Sequence, residues 1–137
     1  MKLLAPLDRG PIDDSARAGE RTFTAIGCAN CHVPTLTTGP SANPQFHRKG
    51  VPLFSDLLLH DIGTGDGIKQ GAAEPDEIRT PALWGVRFRR PLLHDGSVPT
   101  IEDAIRRHAR EAALARHGFE GLTDGERAAL LSFLRSL

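Results

Sequence analysis

The residues best equipped for chemistry stand together in one short segment, Gly27-Cys28-Ala29-Asn30-Cys31-His32. Cys-x-x-Cys-His is the attachment pattern of a c-type haem. Two thiols three positions apart reach the vinyl groups on adjacent edges of a porphyrin. The imidazole that follows then lies under the iron as the proximal ligand. The pattern predicts one covalently bound haem c per chain, attached through Cys28 and Cys31 and ligated by His32. A structural zinc site needs four ligands, with a second Cys pair or a His pair at set spacing. The chain has only these two cysteines. A thioredoxin-type Cys-x-x-Cys sits at a strand-to-helix junction of an α/β pattern, and no parallel-strand pattern surrounds this one.

The group opposite His32 decides what such a haem does. Methionine is the usual high-potential ligand, but the chain's one methionine is Met1, at an end where order is rare. The candidates are then His47, His60, His94, His108 and His117. His117 stands beside Gly118 and reads as exposed, and His47 lies in a polar loop beside Arg48 and Lys49. His60 ends an apolar stretch and reads as a hydrogen-bonded supporting or core histidine. His94 occupies a tight His-Asp-Gly turn, from which it reaches a haem propionate or caps the turn. His108 continues the apolar stripe Ile101, Ala104, Ile105, His108, Ala112, at i, i+3, i+4, i+7 spacing. In an arbitrary protein that is a core histidine bonded to a carbonyl. In a chain that must bury a haem it is a ready iron ligand. His108 is the preferred sixth ligand, with His60 and His94 behind it. An iron left open would instead bind peroxide, with His94 or His60 as acid and base.

These groups need elements to hold them. Residues 1–14 read as an extended arm and 15–137 as one domain. A first helix runs from an N-cap at Ser15 to about Ile26, ended by Gly27. The stretch from Val33 to Gly50 has no periodicity and reads as a loop wrapping the haem edge. Leu53 to Asp61 is a short apolar segment, a helical turn or a short strand. The glycines of Gly63-Thr-Gly-Asp-Gly67 make a turn rather than a nucleotide loop, because no strand and helix flank them. A helix begins at Thr100, with Asp103 in a capping position, and a last one opens on the capping box Thr123-x-x-Glu126. Loops this long are unusual in a compact domain without a ligand to pack on. Trp84 is expected to supply apolar bulk against the haem, or else to lie near an electron route.

Lys and Arg number 17 and Asp and Glu also 17, so no global field favours nucleic acid or an anionic membrane. The clusters Arg87, Arg89, Arg90 and Arg106, Arg107, Arg110 read as solvated faces, or as contacts to haem propionates or an acidic partner. No run is long enough to span a bilayer. The opening Met-Lys-Leu-Leu-Ala-Pro-Leu-Asp turns polar too soon for a secretory signal. Covalent haem attachment takes place outside the bacterial cytoplasm, so either a signal was removed or the chain is a domain of a longer exported, periplasmic protein.

Arg79-Thr-Pro, Pro91-Leu-Leu-His-Asp-Gly-Ser-Val-Pro-Thr-Ile-Glu-Asp-Ala-Ile105 and Leu122-Thr-Asp-Gly-Glu-Arg-Ala-Ala-Leu-Leu-Ser-Phe-Leu134 resemble the C-terminal haem domain of bacterial di-haem cytochrome c peroxidases. Phe54-Ser-Asp-Leu-Leu-Leu-His-Asp-Ile-Gly63, with Leu83-Trp-Gly85, resembles the related di-haem, thiol oxidoreductase-like enzymes. The resemblance runs from about Ser15 onward. It implies a mainly α, cytochrome c-like fold of three to five helices, with long loops wrapped around one haem. It also implies a peroxidase-like oxidoreductase as the parent enzyme. In the peroxidases a methionine on the helix after His-Asp-Gly ligates the electron-transferring haem, and that register falls on His108. A bis-histidine haem has a lower potential than a His/Met one. With a single Cys-x-x-Cys-His, the chain corresponds to the electron-transferring half. Its partner is then a second haem domain or a redox protein.

Overall fold

The structure is a computed structural model and describes residues 7–137; the reading of Met1 lies outside the described residues. Four α-helices carry it: α1 Asp14–Ala25, α2 Ile101–Arg106, α3 Ala113–Glu120 and α4 Asp124–Ser136. Two minimal antiparallel ladders sit in the loops between α1 and α2. Strands β1 (Leu36–Thr37) and β2 (Gly50–Val51) form one, and β3 (Leu59–His60) and β4 (Ile78–Arg79) the other. The mainly α reading holds, and the apolar 53–61 segment ends in a two-residue strand.

Helix α1 starts one residue before Ser15. Asp13 holds the extended backbone of an N-cap, and its Oδ1 accepts the Ala16 N–H at 2.7 Å. The chain before it is pinned to α4, with Gly10 N donating to Ser136 O at 2.7 Å. The capping box of α4 is complete: Thr123 accepts from Glu126 N, and the Glu126 carboxylate accepts from Thr123 N.

The two long helices, α1 and α4, cross at backbone contact. A Cβ on Gly19 would stand 2.0 Å from Ala129 O, so only glycine permits the crossing. Beneath it Phe23, Phe54 and Phe133 form an aromatic triangle, with centroids 6.2, 5.2 and 5.6 Å apart. Phe119, Leu130, Leu134 and Ile101 extend this core.

The continuous stripe expected from Ile101 to Ala112 is interrupted. Helix α2 ends at Arg106, Ala109 is extended at φ −133°, and Arg110 takes a left-handed φ of 49°. The competitor is tertiary. Ala109 N donates to Ile62 O at 2.9 Å and Glu111 N to Asp61 O at 3.2 Å, which removes both amides from any helix. His108 therefore lies in the turn after α2, not in mid-helix.

Candidate haem site

Gly27 ends α1 in the left-handed region, at φ 90°, and turns the chain into a short 3-10 helix, Cys28–Asn30. Both cysteines are free and half-buried. Burial pushes the Cys28 thiol up to about 11. Cys31 is also raised, by burial first and then by the nearby Asp56 and Glu111 carboxylates. Reactive and metal-binding cysteines have the opposite shift, because the thiolate is the working form.

His32 is oriented by a distant backbone group. Its Nδ1 donates to Phe54 O at 2.9 Å. Phe54 holds φ at 51°, a costly left-handed conformation for a bulky residue, while its ring is buried in the aromatic core. Phe54 N and Ser55 N in turn donate to Pro34 O and Val33 O, and Asp56 N donates to Cys31 O at 2.8 Å. Residues 54–56 thus strap the far side of the motif. Ser55, fully buried, fixes the strap through Oγ, which donates to Thr80 O at 2.7 Å and accepts from Leu57 N at 2.9 Å.

His108 repeats the arrangement. Its Nδ1 donates to Ala104 O at 2.7 Å. A carbonyl only accepts, so Nδ1 carries the proton in both histidines and each Nε2 is left with its lone pair. Among the described residues neither Nε2 has a hydrogen-bond partner. Burial is the largest cause of the lowered pKa of both rings. For His32 the Phe54 carbonyl opposes it, and the neighbouring His108 and His60 lower it further. Two imidazoles held in the same way each offer a free Nε2. That is the donor set a six-coordinate haem iron requires. Half-buried Ile26, Leu83, Leu93, Ala104, Ile105 and Leu122 pack against the core beside this group. The residues present fit a haem.

His60 is held between two carboxylates. Nε2 meets Asp56 Oδ2 at 2.8 Å and Nδ1 meets Glu111 Oε2 at 2.9 Å, which requires a proton on both nitrogens. Its pKa is accordingly raised, by Glu111 first and Asp56 next. His94 is exposed and its Nε2 pairs with Asp66 Oδ2 at 2.9 Å. Trp84 donates from Nε1 to Pro52 O and lines a small cleft with Leu7, Arg9, Phe54 and Leu137. No hydrogen bond or aromatic contact among the described residues joins His94 or Trp84 to the Cys28–His32–His108 group. Arg87 is structural, bonding Ser136 O, Leu137 O and Asp8 O. Arg106 pairs with Glu102 and Arg110 with Asp61.

A family model for di-haem oxidoreductases matches residues 1–137. The chain belongs to that family. This di-haem oxidoreductase chain is 29% identical over 101 residues to cytochrome c peroxidase Ccp of Escherichia coli, covering 72% of the chain and 21% of the relative. It is 26% identical over 155 residues to the methylamine utilization protein MauG of Methylorubrum extorquens, covering 97% and 39%. The chain thus spans well under half the length of these relatives. Its fold matches a solved chain of hydrazine synthase from Kuenenia stuttgartiensis, with TM-score 0.62, 22% identity, and coverage of 96% of this chain and 50% of that one. A MauG-like protein associated with microbial copper homeostasis gives TM-score 0.56 at 23% identity, covering 93% and 47%. Membership implies a haem cofactor. No described helix is long and apolar enough to cross a membrane.

Sequence reasoning missed the Phe54 and Ala104 carbonyls that fix the two tautomers, since backbone acceptors have no residue signature. It also missed Asp56 and Glu111 as partners of His60. Asp56 stands four residues before His60, but the 51-residue separation of Glu111 left nothing to read.

Proposed function

We propose that this di-haem oxidoreductase chain is an electron-transferring c-type haem unit with bis-histidine ligation. Cys28 and Cys31 would hold the haem through thioethers, and His32 and His108 would ligate its iron. One observation carries the reading: two half-buried imidazoles, each tied at Nδ1 to a backbone carbonyl and each with Nε2 free. A haem bound there supplies one-electron chemistry. The chain's own contribution is to hold both Nε2 atoms in place, to present them neutral, and to exclude water with the surrounding Leu and Ile side chains. The hydrogen bonds to Phe54 O and Ala104 O raise the basicity of both imidazoles, which favours the oxidised state of the centre.

The unit would pass electrons to or from a second haem domain or a redox protein, and covalent attachment of its haem would place it in an exported, periplasmic compartment. The test is the electronic spectrum of the ferric holoprotein. A low-spin spectrum that turns high-spin in His108→Ala is the expected result. A high-spin spectrum in the unmutated protein would overturn bis-histidine ligation and favour peroxide reduction at this haem.

A further inference from the structure

The Asp56–His60–Glu111 cluster takes no part in ligation as described, yet it joins the strap that orients His32 to the turn that carries His108. On one side is the strap of residues 54–56, which bonds His32 through Phe54 O and Cys31 through Asp56 N. On the other is the turn 108–112, which presents His108. Between them His60 spans from Asp56 Oδ2, 2.8 Å away, to Glu111 Oε2, 2.9 Å away. Further ties run alongside: Glu111 Oε1 accepts from Asp61 N at 2.9 Å, and Arg110 Nη1 donates to Asp61 Oδ2 at 2.9 Å. The pairing of His60 with Ile78 across β3 and β4 fixes the histidine backbone, so the clamp has one anchored member.

We propose that His60 is a positioning residue for His108: with Asp56 and Glu111 it clamps the turn carrying the sixth ligand onto the segment that orients the fifth. The proposal rests on the reading of His108 as a ligand. The clamp is asymmetric. Asp56 is nearly enclosed, with 12% of its side chain exposed, whereas Glu111 is 53% exposed and belongs to the turn that must be held. Both carboxylates aim at the same imidazole. Without the ring they face each other as like charges, and the more exposed partner, Glu111, is driven outward with its turn. Loss of His60 therefore replaces an attraction by a repulsion beside His108, while His32 keeps its bond to Phe54 O.

The readout is the rate of carbon monoxide binding to the reduced holoprotein, which needs His108 to leave the iron. His108→Ala sets the open limit and the unmutated protein the closed one. His60→Ala is expected to speed binding by about tenfold, the scale of losing one charge-assisted hydrogen bond. Adding Glu111→Gln should slow it again, because the repulsion is removed while the amide oxygen still accepts from Asp61 N. A merely structural role would show no such rescue. Glu111→Ala, at an exposed position with little risk to folding, should also speed binding if His60→Ala does not fold. Rates for His60→Ala and Glu111→Ala within about twofold of the unmutated protein, against a fast His108→Ala, would overturn the clamp. A double variant as fast as His60→Ala would do the same. An unmutated protein as fast as His108→Ala would instead remove the His108 reading, and the clamp with it.

Discussion

The layer of α1 and α4 and the loops that carry the ligand segments are built on different physics. In the helical layer, hydrogen bonds are local and side chains carry the tertiary structure. The Phe23–Phe54–Phe133 triangle and the Gly19 crossing do the work there. In the loops, the hydrogen bonds themselves are long-range: Asp56 N to Cys31 O, Ala109 N to Ile62 O, Ser55 Oγ to Thr80 O. The first region resists change in volume, while the second resists loss of individual polar partners. Position of the imidazoles depends on the second, and persistence of the whole on the first.

Substitutions that act on one region alone can break or sharpen this contrast. Phe133→Ala should cost most, about 3–5 kcal/mol by chemical denaturation of the holoprotein, since it empties the centre of the triangle. The low-spin state expected of the holoprotein should persist below the transition, with at most a graded shift passed through Phe54 to His32; a change to high spin in the folded state would mean that the two regions are not separable. Gly19→Ala should follow at about 3 kcal/mol, because a methyl cannot fit 2.0 Å from Ala129 O and the helices must part. A stable variant with an unchanged melting curve would show that the crossing tolerates displacement. Ser55→Ala should cost about 2 kcal/mol by orphaning the carbonyl of buried Thr80. Unlike Gly19→Ala it should perturb the His32 environment, visible as a shift of the imidazole resonances in NMR of the ferric protein.

The smallest effect is a pH dependence from the clamp. The His60 pKa is raised above 6.5, so its contribution to stability is complete below that value and is lost as pH rises through the folded-state pKa. Glu111 is lowered from 4.5, chiefly by His60. Asp56 is lowered from 3.8, because hydrogen bonds from His60, Leu58 and Thr80 together outweigh burial. Their contributions are present above those values and are lost as pH falls through the depressed folded-state pKa values. The clamp should thus stabilise most between pH 4.5 and 6.5. Denaturation midpoints of the unmutated protein and His60→Ala should diverge most in that window and converge at higher pH. A constant difference across pH would count against an ionised clamp.

Much of the helical layer was legible in the sequence because its signals are local. The Thr123–Glu126 capping box and the left-handed Gly27 stand where their residue types demand. The cap of α1 was misplaced by two residues because Asp13 and Ser15 are both good caps and only the backbone chooses between them. Within the site, Cys28, Cys31 and His32 could be picked out from their spacing. The break after Arg106 could not, since the apolar stripe runs through it and the carbonyls that stop the helix belong to Asp61 and Ile62. The left-handed Phe54 was equally hidden, because steric preference argues against it and only its neighbours enforce it.

Phe54 has one more consequence. Its ring belongs to the core, and its carbonyl belongs to His32. A conservative change in the ring's neighbours, Phe23 or Phe133, tilts the same residue and so alters the direction and strength of the bond at the imidazole. With His32 on a haem iron as proposed, substitutions that would pass as neutral drift in an ordinary core would give this chain a graded way to retune its driving force over generations. No ligand need be exchanged on the way.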